Sequence, residues 1–212
     1  MSRPRRTPKQ KLNYSALSLK EAMKLIPAEQ FIHWHLPASP RPPSDFFIED
    51  LRRLEAFDLK SSEQAKTLLI DALLAETVPL HPKLKIWKAA TITTDTLTGV
   101  ADYVMAPRRA YLETPLLCVA EAKKDDFEQG AAQCVAEMVA CQQSNREESH
   151  EIDVYGIVSN GQGWQFYKLT LRGEVYETAQ YGLEDLDGIL GALDYMCSEC
   201  ARNVPIQTRG NS

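Results

Sequence analysis

The stretch Pro115-Leu-Leu-Cys-Val-Ala-Glu-Ala-Lys123 decides the fold, because a continuously apolar run ends in charged residues. Residues 116–120 have the pattern of a central strand that is covered on both faces. Side chains alternate along a strand, so Glu121 and Lys123 point to one face and Ala122 to the other. A buried strand has little reason to end in charge unless its end reaches a cleft. The stretch therefore predicts a carboxylate and an ammonium group at one spot.

Two more strands are predicted ahead of this one. Residues 85–94 alternate and are rich in β-branched side chains, residues 95–99 form a turn signal, and residues 100–106 form the next strand. The connections between the three strands are short, so we expect the strands to be antiparallel.

The pairing of the last two strands brings a second carboxylate to the same place. If they pair about a turn centred near Tyr111 and Leu112, Asp102 lies level with Glu121. Two facing carboxylates repel each other, and the pKa of one of them rises. A hard divalent cation removes this conflict, because Mg²⁺ prefers a few carboxylate oxygens together with water and phosphate oxygens.

The chain downstream of Lys123 alternates between helix and strand patterns. We predict a helix over residues 126–143, a strand over 153–159, a hairpin partner over 164–171, a strand over 174–180 and a helix over 183–202. The helix after the third strand allows a crossover, hence parallel pairing of the third and fourth strands. Helices should then cover both faces of a mixed sheet.

The chain upstream of the strands reads as helical. Ser18 and Ser44 have the pattern of helix caps, and Ser61 and Ser62 should cap a stronger helix that runs to Pro79. We therefore divide the chain into a flexible basic tail (1–16), a helical extension (17–58), a main α/β domain (59–203) and a second tail (204–212).

Composition places the protein in a broad class. The chain has 212 residues, of which 44% are apolar and 25% charged, as expected of one soluble globular domain. No stretch approaches the ~20 apolar residues that a membrane span needs, and the basic start has no apolar segment behind it. We expect a cytoplasmic protein with no membrane partner. The five cysteines fit reduced thiols; Cys197 and Cys200 would be only half of a zinc site and would lie one turn apart on a helix.

The charge of the chain bears on its partners. The net charge is −5, whereas proteins that bind nucleic acid without specificity are usually basic. Positive charge is concentrated in the tail, either as a solvated segment or as a DNA-binding arm, and in Arg108, Arg109 and Lys124. We expect these last three residues to contact nucleic acid; the alternative is that Arg108 and Arg109 are solvated residues of a hairpin tip that points away from the cleft.

Taken together, these pieces resemble the PD-(D/E)xK nuclease superfamily, and within it the N-terminal nuclease domain of type I restriction enzyme subunits. The resemblance covers about residues 60–171 and lies in residues 62–74, 99–103, 120–124, 129–133 and 158–167. It implies an α/β fold with a restriction-endonuclease-like mixed β-sheet, an αβββαβ core flanked by helices on both faces. The first 55 residues match no pattern of this family.

The resemblance also implies a set of residue roles. Asp102, Glu121 and the main-chain carbonyl of Ala122 would coordinate Mg²⁺ or Mn²⁺. Lys123 would orient or help deprotonate the attacking water and stabilise charge on the phosphate. Metal-assisted hydrolysis of a phosphodiester requires such a set.

Two further residues match the family, and two positions depart from it. Glu63 matches the acidic residue of the family's first helix, and Gln133 matches the glutamine of the helix that lines the site. Ala101 stands where a proline often precedes the aspartate, which leaves the metal ligands intact. Glu137 stands where many relatives have the tyrosine of Q-x-x-x-Y, which affects the DNA-facing role of the helix.

Each of these residues also has a structural explanation. Lys123 would be a surface lysine if it paired with Asp125 or Asp126. Asp102 would merely close a turn after Gly99. Glu63, in the first turn of a helix, would complement the helix dipole.

Three functions are compatible with the sequence. The first is a metal-dependent endonuclease that acts on DNA, and the second is a nuclease of the same fold that acts on RNA or branched DNA. The third is a non-catalytic binding or scaffold domain that retains the fold. No G-x-x-x-x-G-K-[ST] loop is present, which excludes ATP-driven translocation by this chain. No DNA-reading motif is visible, so sequence specificity either lies in a partner, a second copy of the chain or a separate protein, or is absent.

Overall fold

A mixed β-sheet organises the computed structural model. The structure describes residues 11–59, 63–123 and 126–205; of Glu63 and Gln64 it describes the backbone only. The strands of this part are β1 (Leu12–Asn13), β2 (Ile32–His33), β3 (Leu84–Thr93), β4 (Leu97–Pro107), β5 (Cys118–Ala122), β6 (Val154–Ser159), β7 (Gly163–Leu169), β8 (Val175–Glu177) and β9 (Tyr181–Gly182). The helices are α1 (Leu19–Met23), α2 (Asp45–Leu54), α3 (Glu63–Thr77), α4 (Phe127–Glu147) and α5 (Leu186–Arg202).

The strand order follows the short connections of the sequence. It is β1-β4-β5-β6-β7-β8-β2, with β3 beside β4 and β9 beside β7. Strands β3, β4 and β5 are antiparallel in sequence order, whereas β5 and β6 are parallel and are joined by the crossover helix α4. The predicted antiparallel unit and the predicted parallel crossover are both confirmed.

Helices cover both faces of the sheet, as the sequence predicts. On one face, Leu73 of α3 and Leu193 of α5 belong to the same apolar cluster as Tyr103 of β4. On the other face, Val135 of α4 packs in a second cluster with Val104 of β4. Successive residues of β4 thus contribute to different layers, because side chains alternate along a strand.

Helix α4 lies close against the sheet. Its N-cap is Asp126, whose carboxylate accepts a hydrogen bond from the Gln129 amide at 2.9 Å. Opposite its centre stands Gly156 of β6, where a Cβ atom would overlap the sulfur atoms of Cys134 and Met138. The absence of a side chain at Gly156 therefore lets the helix approach the strand that follows it.

The N-terminal segment differs from the prediction of a flexible tail over residues 1–16. Residues 1–10 lie outside the described part, but β1 pairs in parallel with β4, and a 3₁₀ turn follows at Tyr14–Ala16. Tyr14 is fully buried against Gly99, where a Cβ atom would lie 2.5 Å from the ring. Burial of this one aromatic ring orders a segment whose basic neighbours suggest a solvated tail.

The helix boundaries otherwise follow the caps in the sequence. Ser18 forms a capping box with Glu21, and Ser44 caps α2 through the amide of Phe47. Helix α2 ends at Leu54, and Phe57 falls beyond its end. The predicted caps of α3, Ser61 and Ser62, lie outside the described residues.

The cysteines agree with the prediction of reduced thiols. All five are free and buried, and Cys197 and Cys200 lie one turn apart within α5. Among the helices of the described ranges, none combines the length and apolar character needed to cross a membrane.

Candidate active site

The two predicted carboxylates meet at the end of β5. The register pairs Tyr103 with Ala120, and one further step along the same register puts Asp102 level with Glu121. This is the alignment that a turn near Tyr111 predicts. The charge of Asp102 is close enough to raise the pKa of Glu121.

Asp102 occupies a point where the sheet opens. The pairing of β4 with β5 ends at Tyr103 and Ala120, and beyond it the Oδ2 atom of Asp102 accepts a hydrogen bond from the Ala122 amide at 2.9 Å. The carboxylate thus takes the place of the next backbone acceptor in the ladder. The alternative in which Asp102 merely closes a turn is wrong, because the residue lies within β4 and is only partly exposed.

The edge strand β3 is distorted opposite the same residue. The pairs Lys88–Tyr103 and Ala90–Ala101 flank Ala89, which has φ = 50° and stands across from Asp102. Left-handed geometry costs a residue with a Cβ atom about 1–2 kcal/mol. Such conformations are found preferentially at functional sites, and no glycine marks this one in the sequence.

Glu121 and Lys123 form a buried pair on the face that α4 covers. The Nζ atom of Lys123 lies 2.8 Å from Glu121 Oε1 and donates a second hydrogen bond, also of 2.8 Å, to Gln133 Oε1. The alternative of a surface lysine paired with Asp126 is wrong, because Asp126 caps α4, while Asp125 lies outside the described residues. The side chain of Glu121 is 3% exposed and that of Lys123 19%, so the carboxylate is shielded from solvent while the lysine reaches the surface.

A buried carboxyl group, that of Glu137, continues the chain of contacts from Glu121 through Lys123 and Gln133. Gln133 Nε2 donates a hydrogen bond to Glu137 Oε1 at 2.9 Å, and both residues are buried. In the sequence, Glu137 stands out only as a departure from the family pattern. Its spacing of four residues from Gln133, among apolar neighbours on one helix face, is the signal that could have placed it beside the site.

Buried carboxyl groups dominate the electrostatics of the site. Burial and then the charge of Asp102 raise the pKa of Glu121 to about 7, although the hydrogen bond and charge of Lys123 act to lower it. Burial, followed by the charge of Glu121, holds the pKa of Glu137 well above its usual range. The same carboxyl groups, after burial, raise the pKa of the Tyr14 hydroxyl.

Two buried carboxyl oxygens at this place accept no hydrogen bond from a described donor. They are Glu121 Oε2 and Glu137 Oε2, and the two carboxyl groups lie within hydrogen-bond reach of each other. A buried acceptor without a partner is costly. A hard cation beside Asp102 would satisfy the free oxygen of Glu121 and remove the repulsion between the two carboxylates, so the donor set fits Mg²⁺.

The donor set is small. Within the part of the chain that the structure describes, no group of three or more His, Cys, Asp or Glu side chains is assembled as a metal site. The predicted set has two carboxylates and one main-chain carbonyl. This is compatible with Mg²⁺, which usually keeps several waters and takes few protein ligands.

For Glu63, the structure gives only the position of the backbone. It begins α3, whose apolar residues pack on the sheet face opposite to that of Glu121 and Lys123. The first turns of α3 lie near the β6–β7 turn, since a Cβ atom on Gly161 would be 3.6 Å from that of Lys66. The side chain of Glu63 is not described, and its site role stays a prediction.

The two arginines lie apart from the carboxylates. Six residues of strand separate Asp102 from Arg108, which corresponds to about 20 Å. Arg108 donates from Nε to the Pro82 carbonyl at 2.9 Å, and Arg109 forms an ion pair of 2.7 Å with Glu113. Their loop follows the far end of β4, away from the carboxylates, and their contact with nucleic acid stays a prediction; Lys124 lies outside the described residues.

Comparison with known proteins does not assign the chain to a family. No family model matches the chain, and no curated protein matches it. What can be stated is a structural class: a mixed α/β protein whose mixed sheet lies between helical layers. Its distinguishing feature is a central strand that ends in a buried Glu–Lys pair, with an aspartate level with the glutamate.

Proposed function

We propose that the protein is a metal-dependent phosphodiester hydrolase, an endonuclease that acts on DNA through a restriction-endonuclease-like site of the PD-(D/E)xK type. One observation carries the proposal. Asp102 is level with Glu121 across two strands, and Lys123 is held against Glu121 at the end of the central strand. Two carboxylates and a lysine at one place are the groups that metal-assisted hydrolysis of a phosphodiester needs.

The residues divide the chemistry between them. Asp102, Glu121 and the carbonyl of Ala122 would hold Mg²⁺ or Mn²⁺, which when bound lowers the pKa of a water and neutralises phosphate charge. Lys123 orients the attacking water and stabilises negative charge as it develops on the phosphate oxygens. Gln133 fixes the ammonium group of Lys123 through the hydrogen bond to its Oε1 atom.

Nicking of a supercoiled plasmid tests the proposal. We expect nicking with Mg²⁺ or Mn²⁺, none with excess EDTA, and a loss of about 10²-fold or more in Asp102→Asn, because the variant loses one of two anionic ligands. Asp71→Asn is the matched control, since Asp71 is likewise a partly exposed aspartate but pairs with Lys88 on the other face of the sheet. Equal losses in the two variants would contradict the proposed site.

The other two functions are distinguished by the same assay. Single-stranded RNA and branched DNA, offered in parallel with the plasmid, identify a nuclease with a different substrate. The net charge of −5 favours the non-catalytic scaffold more than it favours a nuclease. A folded protein that cleaves none of these substrates with either metal would support the scaffold.

Nucleic-acid contact at a distance from the site is a further part of the proposal. Arg108 is exposed. Its separation from Asp102 of about 20 Å along β4 corresponds to roughly six base pairs of duplex DNA. We expect Arg108→Ala to weaken DNA binding and to reduce the salt slope by about 0.9, the value for one phosphate contact. Arg109→Ala should change the slope less, because Glu113 already neutralises Arg109. Binding titrations at several salt concentrations measure both slopes, and an unchanged slope for Arg108→Ala would rule out the contact.

Location and partners complete the proposal. Five free, buried thiols suit the reducing cytoplasm. Substrate specificity would come from a homodimer or from a separate partner protein.

A further inference from the structure

We propose that Glu137 is a positioning residue of this site, which fixes Lys123 through the side-chain amide of Gln133. The catalytic consequence of this inference rests on the proposed function, whereas the contacts themselves do not depend on it. They form one continuous line from Glu121 through Lys123 and Gln133 to Glu137, with links of 2.8, 2.8 and 2.9 Å.

The chemistry of an amide makes its outer partner decisive. A lysine ammonium group only donates hydrogen bonds, so Gln133 must present its Oε1 atom to Lys123. The Nε2 atom then points away and needs an acceptor in a buried environment. Glu137 Oε1 is that acceptor. Without it, a flipped amide would bring its own NH₂ group toward the ammonium group, and Lys123 would lose its anchor.

The position of Glu137 calls for such an explanation. Its side chain is fully buried on a helix face occupied by Cys134, Met138 and Cys141, which belong to the apolar core. Burying a carboxyl group is costly unless it makes hydrogen bonds. The bond from Gln133 supplies one, and the contact with the carboxyl group of Glu121 supplies another. Only the bond from Gln133 orients the amide toward Lys123.

The role does not depend on the charge of Glu137. A carboxyl oxygen accepts a hydrogen bond from Gln133 whether the group is neutral or ionised. A glutamine at position 137 also offers an acceptor oxygen of the same reach. Glu137→Gln should therefore retain the function, whereas Glu137→Leu, which fills similar space without an acceptor, should lose it.

The test measures single-turnover cleavage of plasmid DNA in Glu137→Leu, Glu137→Gln and Gln133→Leu at saturating Mg²⁺. We expect Glu137→Leu to lower the single-turnover rate constant by about 10–100-fold with little change in the concentration that gives half of the maximal rate, as is typical when the support of a reacting group is lost. Glu137→Gln should cleave at close to the parent rate. In the Gln133→Leu background, Glu137→Leu should cause no further loss, because the amide through which it acts is gone.

A second readout does not need activity. The ¹⁵N resonance of Lys123 Nζ in the metal-free protein reports whether the ammonium group is held. It should shift in Glu137→Leu toward its value in Gln133→Leu, and it should keep its parent value in Glu137→Gln. If the protein proves not to be a nuclease, this shift still decides the positioning role, so the two proposals fail separately.

Met138→Ala is the control for mere loosening of the helix. Met138 is fully buried next to Glu137 and packs against Gly156 instead of the polar line. Met138→Ala should lower the melting temperature and leave the ¹⁵N resonance of Lys123 Nζ unchanged. Glu137→Met repeats the measurements if the leucine variant does not fold. Additive losses in the double variant, or an unshifted resonance in Glu137→Leu, would overturn the proposal.

Discussion

Lys123→Met is expected to lower the rate of DNA cleavage by about 10²–10³-fold, the usual cost of removing one preorganised donor from a developing negative charge. Lys123 Nζ is fixed by Glu121 and Gln133, so its charge needs no rearrangement to act on the phosphate. Methionine keeps the length of the side chain and removes only the charge and the hydrogen bonds. Single-turnover cleavage of plasmid DNA measures the loss.

The same change should also weaken metal binding at neutral pH, for a separate reason. The hydrogen bond and charge of Lys123 lower the pKa of Glu121, which is nevertheless raised to about 7. Without the lysine this pKa rises further, and more of Glu121 is protonated at pH 7. A higher pH or excess Mg²⁺ should restore binding. The loss of rate should remain, because the missing charge acts on the phosphate and not on the metal.

Lys88→Met is the matched control for this prediction. Lys88 also forms an ion pair with a carboxylate, its Nζ lying 2.7 Å from Asp71 Oδ2, but it does so on the sheet face opposite to that of Glu121. It should cleave DNA like the parent. Full activity in Lys123→Met, or an equal loss in Lys88→Met, would place the active centre elsewhere.

The part of the site that lies on neighbouring strands could be predicted from the sequence. Strand periodicity puts Glu121 and Lys123 on one face, and a single turn position fixes which residue of the preceding strand stands level with Glu121. Because side chains alternate, a shift of one residue in register would turn the side chain of Asp102 to the sheet face opposite to that of Glu121. Local pattern and pairing geometry were therefore sufficient to select Asp102.

The remaining parts depend on contacts between distant segments. Tyr14 is buried only because Gly99, far along the chain, leaves room for its ring. The left-handed conformation of Ala89 follows from no local glycine or turn signal. Glu137 looks like an ordinary polar residue of a helix until Gln133 and the end of β5 are placed beside it. No short-range pattern could reveal these features.

The metal-free protein should become less stable as the pH rises from about 4.5 to 7. Glu121 has a usual pKa of 4.5 that is raised to about 7 in the folded protein, so the folded state holds a proton that the unfolded chain has released in this window. The stabilisation is complete below pH 4.5 and is lost as the pH passes 7. It amounts to roughly 3 kcal/mol if the whole shift is expressed. The raised pKa of Glu137 acts in the same direction.

Mg²⁺ should therefore stabilise the protein more at pH 8 than at pH 5. The cation binds the ionised carboxylates, and pH 5 lies about two units below the pKa of Glu121, so its affinity should be about a hundredfold lower there. At a hundredfold excess over Kd, binding stabilises the folded state by about 2.7 kcal/mol, which corresponds to a rise in Tm of about 5–10 °C for a chain of this size. At pH 5 the same concentration should raise Tm by only about 1 °C.

The double variant Asp102→Ala/Glu121→Ala should lose this response at both pH values, and Asp71→Asn should keep it. The double variant should also lose the part of the fall in metal-free stability between pH 4.5 and 7 that Glu121 contributes, whereas the part due to the buried Glu137 should remain. Thermal melts with and without Mg²⁺ at the two pH values measure both effects. An Mg²⁺ response that persists in the double variant would show that the cation binds elsewhere. One that is equal at pH 5 and pH 8 would show that no carboxyl group with a raised pKa takes part in binding it.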